Sequence, residues 1–219
     1  QVLSDVGEDR IAYSDTSDYA ANVEYATSVP PKPAENPIQT PMTRVDTPNA
    51  KTIEDLTTCL DVQAQDTVKT LLVKGENTPI VALVLRGDDT LNTTRTEKHP
   101  LVHAPLSFAT DAEVAQALGA PLGFVGPVGL DVPLIVDHHA LAMNAFVCGA
   151  NIKDAHLINA CWGRDAQATD AFDLREVKTG DPSPDGQGHL KLCRGIEVGH
   201  IFQLGSNYTK AMNATVLNR

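Results

Sequence analysis

Val68-Lys-Thr-Leu-Leu-Val73, followed after a short break by Ile80-Val-Ala-Leu-Val-Leu85, is the pair of segments on which the fold turns. Both are short, apolar and rich in β-branched residues, and Gly75, Asn77 and Pro79 lie between them. Runs of this length bounded by turn formers read as strands, and two joined so closely predict a buried hairpin. On the N-terminal side, Thr47-Pro48 reads as an N-cap followed by proline at the first helical position, opening a helix through Ile53, Leu56 and Leu60. On the C-terminal side, Asp111 reads as the cap of a helix through Val114 and Leu118. Beyond it come a glycine-rich turn from Gly119 to Gly129, a strand at Pro133-Leu-Ile-Val-Asp137 and a short helix near Ala140 to Asn144. Apolar stretches follow around Ala145 to Cys148 and His156 to Cys161. This order predicts an α+β (mixed α/β) domain, with a mixed, mostly antiparallel sheet and surrounding helices.

The boundaries are written in composition. Val29-Pro-Pro-Lys-Pro-Ala-Glu-Asn-Pro-Ile-Gln-Thr-Pro41 carries five prolines, which favour extended backbone and exclude a regular helix or central strand. Thr179-Gly-Asp-Pro-Ser-Pro-Asp-Gly-Gln-Gly188 is a second cluster of breakers. The chain therefore divides into a flank at 1–28, a Pro-rich linker at 29–44, a central domain at 45–178, a return linker at 179–188 and a second flank at 189–219. The central part has the size of one ordinary domain.

With 219 residues, 42% hydrophobic and 21% charged, the chain can bury a substantial core. No apolar run approaches the roughly 18 residues needed to span a bilayer, and the start has neither the basic nor the apolar region of a signal peptide. The absence of an initiator Met and of those signals leads to the expectation of a cytoplasmic piece of a longer protein, with no membrane partner. Cys59, Cys148, Cys161 and Cys193 are far apart with no Cys-x-x-Cys pair, so core packing is expected of them rather than zinc or disulfides. Seventeen Lys and Arg against 28 Asp and Glu leave a net charge of −11, which disfavours unaided binding to nucleic acid.

Several residues stand out chemically. Lys69 opens an otherwise apolar strand, and because lysine is rarely buried without a partner, its ammonium is expected to face a cleft; snorkelling to water is the alternative. The Gly123-Phe-Val-Gly-Pro127 loop places glycines where backbone can approach a ligand closely, with Pro127 stiffening the turn. His156 reads either as a pocket residue or as a hydrogen-bonded strand-edge histidine. His138-His139 invites a zinc site, but adjacent side chains diverge on either a strand or a helix and would seldom share a metal. There is no Gly-x-Ser-x-Gly elbow and no Cys-His dyad.

Four phrases in order, Val45-Asp-Thr-Pro-Asn-Ala-Lys-Thr52, Val68 to Val73, Gly123 to Pro127 and Gly149-Ala-Asn-Ile-Lys-Asp-Ala-His156, resemble the editing insertion of bacterial prolyl-tRNA synthetases and its free-standing aminoacyl-tRNA deacylase relatives. Outside them, Ser14-Asp-Thr-Ser-Asp-Tyr-Ala-Ala-Asn22 and Arg194-Gly-Ile-Glu-Val-Gly-His-Ile-Phe-Gln-Leu-Gly205 resemble the class II catalytic core that the insertion interrupts. The resemblance implies hydrolysis of mischarged alanyl-tRNA(Pro) by water, without a protein nucleophile or metal. Lys69, Gly123 and Gly126 would serve catalysis, and Thr47, Leu56, Pro127, Asp137 and His156 would bind substrate. His200 and Phe202 would be remnants of the synthetic site. It also implies no cofactor for editing and ATP with Mg for the parent ligase, which is expected to be a homodimer. The tRNA(Pro) acceptor end, bound weakly by the isolated chain, and the remainder of the synthetase would be the partners. The other reading is a docking insert that supports the ligase core with little editing of its own.

Overall fold

The computed structural model describes residues 2–33, 38–199, 201 and 205–215. His200 and Phe202 lie outside the described residues. The architecture is α+β, and the described residues form three sheets rather than the one expected, two of them antiparallel and the central one mixed. The central sheet has the order β10 (Asp170–Phe172), β7 (Leu134–Asp137), β6 (Ile80–Arg86) and β5 (Val68–Lys74). β5 and β6 form the predicted hairpin, with Lys69 opposite Leu85 and Leu71 opposite Leu83. β7 joins parallel to β6, and β10 joins parallel to β7.

β6 is nearly all apolar because both of its faces are covered. Val68 and Leu72 of β5, with Ala82, Val84 and Val136, face one core, completed by Phe146, Cys148, Val114 and Ala140. The alternate residues Leu71, Val73, Leu83, Leu85 and Ile135 face a second core with Val102 and Leu174. The first core is roofed by a second sheet, ordered β4 (Thr43–Asp46), β9 (Ala155–Ala160) and β8 (Phe146–Gly149). Cys148 and Cys161 are buried as expected of core cysteines, whereas Cys59 is exposed.

Three helix starts differ from expectation. α1 (Ile53–Leu60) is capped by Thr52, whose hydroxyl accepts from the Asp55 amide while the Asp55 carboxylate returns a bond to the Thr52 amide. Thr47 cannot start that helix because Asn49 is left-handed, with φ 63°, and the Thr47 amide is committed to the Asp154 carbonyl. After the short helix α2 (Thr93–Thr96), α3 (Asp111–Leu118) is capped by Thr110 with Glu113, so Asp111 is its first residue, not its cap. The short helix α4 is His138–Leu141, with Asp137 as its cap.

The flanks contribute the third sheet, ordered β1 (Val2–Leu3), β11 (Leu190–Ile196), β2 (Asp9–Ser14) and β3 (Ala20–Asn22). Two buried arginines tie it to the central body. Arg95 bonds to the Ala26 carbonyl, while Arg175 reaches Ser28 and pairs with Asp181 at 2.7 Å.

Candidate functional site

β5 is an edge strand, so one side of the central sheet is open where the first core ends. A cavity of about 360 Å³ lies there. Val68, Thr70 and Leu72 form its floor, Leu56 of α1 and the loop residues Gly123 and Val125 its wall, and Gly149 and His156 its far end. Phe108 and Leu122, both exposed, form the lip.

The turn between β8 and β9 organises this end. Two non-glycine residues in it are left-handed, Asn151 at φ 59° and Asp154 at φ 58°, a conformation that Asn and Asp tolerate better than other side chains. Asn151 holds the glycine loop on one side. Its Oδ1 accepts from the Gly126 amide at 2.8 Å, its Nδ2 donates to the Val128 carbonyl at 2.8 Å, and its own amide donates to the Phe124 carbonyl. Asp154 holds the other side, accepting from the Thr47 amide through its carbonyl and from the Asn49 amide through its carboxylate. Gly126 and Gly149 press backbone against backbone, so a Cβ on Gly126 would overlap the Gly149 carbonyl. Gly123 has φ 89°, a conformation that favours glycine.

His156 sits between these clamps, 4% exposed, beside the Phe124 ring at 5.8 Å. Its Nδ1 lies 2.6 Å from the Thr47 hydroxyl, which is itself completely buried. Burial depresses the imidazole pKa below its ordinary value, so the ring is held neutral. The consequence for stability has a definite sign. Above the unfolded-state value of 6.5 both states are neutral. As pH falls below it, the unfolded chain takes up a proton that the native ring refuses, and stability declines. Urea unfolding at pH 7.5 and 5.5 should therefore show a larger loss for the wild type than for His156→Gln; equal losses would exclude the effect.

Lys69 lines the cavity, but its ammonium does not stand free. Nζ donates to the Gly87 carbonyl at 3.1 Å. Burial lowers its pKa, opposed first by the Asp89 carboxylate. Asp89 is itself buried and pairs with Lys178 at 2.7 Å. An ammonium has three donors, and the Gly87 carbonyl takes one.

Of the residues expected at the site, Lys69, Leu56, Gly123 and His156 line one cavity. Thr47 and Gly126 stand directly behind the lining, one bonded to His156 and the other packed on Gly149. Pro127 is buried outside it. Asp137 is not brought there. Its buried carboxylate accepts from the amides of His139, Leu174 and Arg175 and so ties β7 to α4 and to the chain after β10. Burial nevertheless pushes its pKa up. Sequence reasoning missed Asn151, Asp154 and Thr70. The first two lie inside the quoted Gly149–His156 phrase, and their residue types were the available signal.

Fold and site together define an α+β domain whose apolar cavity is closed by a glycine loop and a neutral histidine. A model of the aminoacyl-tRNA editing domain matches residues 47–166, more than half of the chain, and the chain belongs to that family. The proline–tRNA ligases of Legionella pneumophila strains Philadelphia 1 and Corby are 60% and 59% identical to it over 218 residues. These matches take in all of the chain but only 38% of each ligase. The expected family is thus borne out: this is an aminoacyl-tRNA editing domain of the kind carried by proline–tRNA ligases. Among solved structures, hypothetical protein APE2540 aligns with TM-score 0.51 and 24% identity, over 62% of this chain and 92% of its own. A proposed trans-editing enzyme for prolyl tRNA synthetase aligns with TM-score 0.51 and 22% identity, over 62% and 87%. Both share the fold.

Proposed function

We propose that the cavity receives the aminoacyl end of mischarged tRNA and hydrolyses its ester, with alanyl-tRNA(Pro) as the substrate. The observation that carries this reading is the fixed, neutral His156 closing an apolar cavity whose lip is open to solvent. A small aliphatic side chain would fit against Leu56, Leu72 and Val125, and the His156 ring would stop a bulkier one.

The reaction is water attack. Water oxygen bonds to the ester carbonyl carbon, the bond from that carbon to the ribose oxygen breaks, and the ribose oxygen takes a proton. Alanine and uncharged tRNA leave. Among the described residues no Cys, Ser, Asp or Glu lines the cavity. Cys148 lies in the apolar core nearby, and burial pushes its thiol far above the ordinary range, so it supplies no thiolate. Proton transfer falls to the ribose hydroxyl of the tRNA itself. The Lys69 ammonium, with donors to spare beyond Gly87, would offset negative charge on the terminal nucleotide or on the developing oxyanion.

Such a site answers a physical problem of charging. A pocket built for proline loses only about 1 to 3 kcal/mol per missing methylene, too little to exclude alanine, and a second site admitting only the smaller residue repairs the error. The tRNA would be delivered by the remainder of a ligase, which compensates for the charge of −11 by raising effective concentration. ATP and Mg would belong to that ligase body, and no step here uses them.

The test is hydrolysis of alanyl- and prolyl-tRNA by the purified chain, with the spontaneous rate subtracted. Loss of alanine alone supports the reading; no hydrolysis by the folded chain would favour a docking role. His156→Ala should enlarge the far end and raise prolyl-tRNA hydrolysis by about 10-fold or more, the worth of one or two methylene-sized contacts. An unchanged preference for alanine would remove His156 from the sieve.

A further inference from the structure

Thr70 carries the one side-chain oxygen lining the cavity that has no hydrogen-bond partner among the described residues. The other polar side chains there are accounted for or cationic. Thr52 caps α1, His156 is bonded to Thr47, and Lys69 and Lys51 are donors only. The Thr70 hydroxyl is shut off from solvent, so it lacks a bond to bulk water as well. An unpaired buried hydroxyl is costly, and valine would fill the same volume in a strand without that cost.

Position makes the hydroxyl usable. Thr70 lies between Val68 and Leu72 on one face of β5, and all three line the cavity. A turn of about 120° about χ1 moves between staggered rotamers and would bring the hydroxyl to the place its methyl now holds. An aminoacyl ester brings an amino group whose N–H donors need an acceptor, and among the described residues no carboxylate lines the cavity. We propose that the Thr70 hydroxyl accepts a hydrogen bond from the α-amino group of the aminoacyl moiety and thereby distinguishes an amino acid ester from a plain acyl ester. This rests on the reading of the cavity as the aminoacyl site.

The probes are two hydrolysis-resistant amides, 3′-deoxy-3′-(L-alanylamino)adenosine and its propionyl counterpart, which lacks only the amino group. Each is titrated against the wild type, Thr70→Val and Thr70→Ser. The wild type should prefer the alanyl amide. Thr70→Val should weaken that amide by about 5- to 30-fold, the usual worth of one buried hydrogen bond. It should leave the propionyl amide unaffected and melt no lower than the wild type. Thr70→Ser should retain the preference. Equal affinity of Thr70→Val and wild type for the alanyl amide, or equal weakening of both amides, would overturn the assignment to Thr70 alone. Failure of the wild type to bind either amide would overturn the aminoacyl reading of the cavity, and the role of Thr70 with it.

Discussion

Gly126→Ala is expected to lower unfolding stability by about 3 kcal/mol or more and to abolish hydrolysis of alanyl-tRNA, an effect in the range of severe steric insertions. The reason is space, since Gly126 is not among the positive-φ residues. An added Cβ would overlap the Gly149 carbonyl oxygen and sit 2.8 Å from its carbonyl carbon and 3.1 Å from its amide nitrogen. All three are backbone atoms of a buried strand end, so no rotamer change relieves the clash. Gly149 is tight in return, because a Cβ there would overlap the Phe124 carbonyl and lie 2.7 Å from the Val125 carbonyl carbon. Either substitution would drive the loop off β8, break the Asn151 bonds to Gly126 and Val128, and open the cavity wall. Gly129→Ala is the control. It has φ 69° but open space around it, so it should cost only about 1 kcal/mol, the conformational penalty of a left-handed residue. Denaturant unfolding checks both. Similar losses for the two variants would show that the loop moves freely and that the packing against Gly149 is not restrictive.

Lys69→Ala should reduce alanyl-tRNA hydrolysis by about 100-fold or more while leaving a cooperatively folded domain, as expected when a single charge-stabilising donor is removed. The fold survives because Lys69 lies on an edge strand, half-buried, and among the described residues its ammonium bonds to a turn carbonyl, that of Gly87. Losing a bond of that kind costs about 0.5 to 1.5 kcal/mol. Removing the cation also leaves the buried Asp89 with Lys178 at 2.7 Å and the more distant Arg86 at 3.9 Å, so the local charge remains compensated. Lys69→Arg keeps the charge but replaces a compact ammonium by a planar fork and should recover only part of the activity. Single-turnover hydrolysis with melting curves separates the outcomes. Full activity in a folded Lys69→Ala protein would make Lys69 a structural tie to Gly87 and no more.

Much of this was legible along the chain. The β5–β6 hairpin was read from two β-branched runs around Gly75 and Pro79, and its register follows from alternation once one face must be buried. Lys69 and the Gly123–Pro127 loop were visible because a lone cation in an apolar strand and paired glycines beside a proline are exceptions to local rules. The helix starts were misread at Thr47 and Asp111 by one to five residues, because Thr52 and Thr110 offer equally good hydroxyls and only the reciprocal carboxylates Asp55 and Glu113 decide between them. Asp137 stood as a pocket residue along the chain, yet its carboxylate is consumed by three backbone amides contributed from as far away as Arg175.

Local sequence therefore determined element types and several of the residues that line the cavity, since these depend on periodicity, proline and glycine within a few neighbours. Tertiary structure alone decided that Thr47 would lock His156 from 109 positions away, that Asn151 would hold Gly126, and that the Thr70 hydroxyl would have no partner among the described residues. Hydrogen-bond satisfaction and backbone clearance are properties of chains brought together in space, and they emerge only when the second sheet closes over the central one.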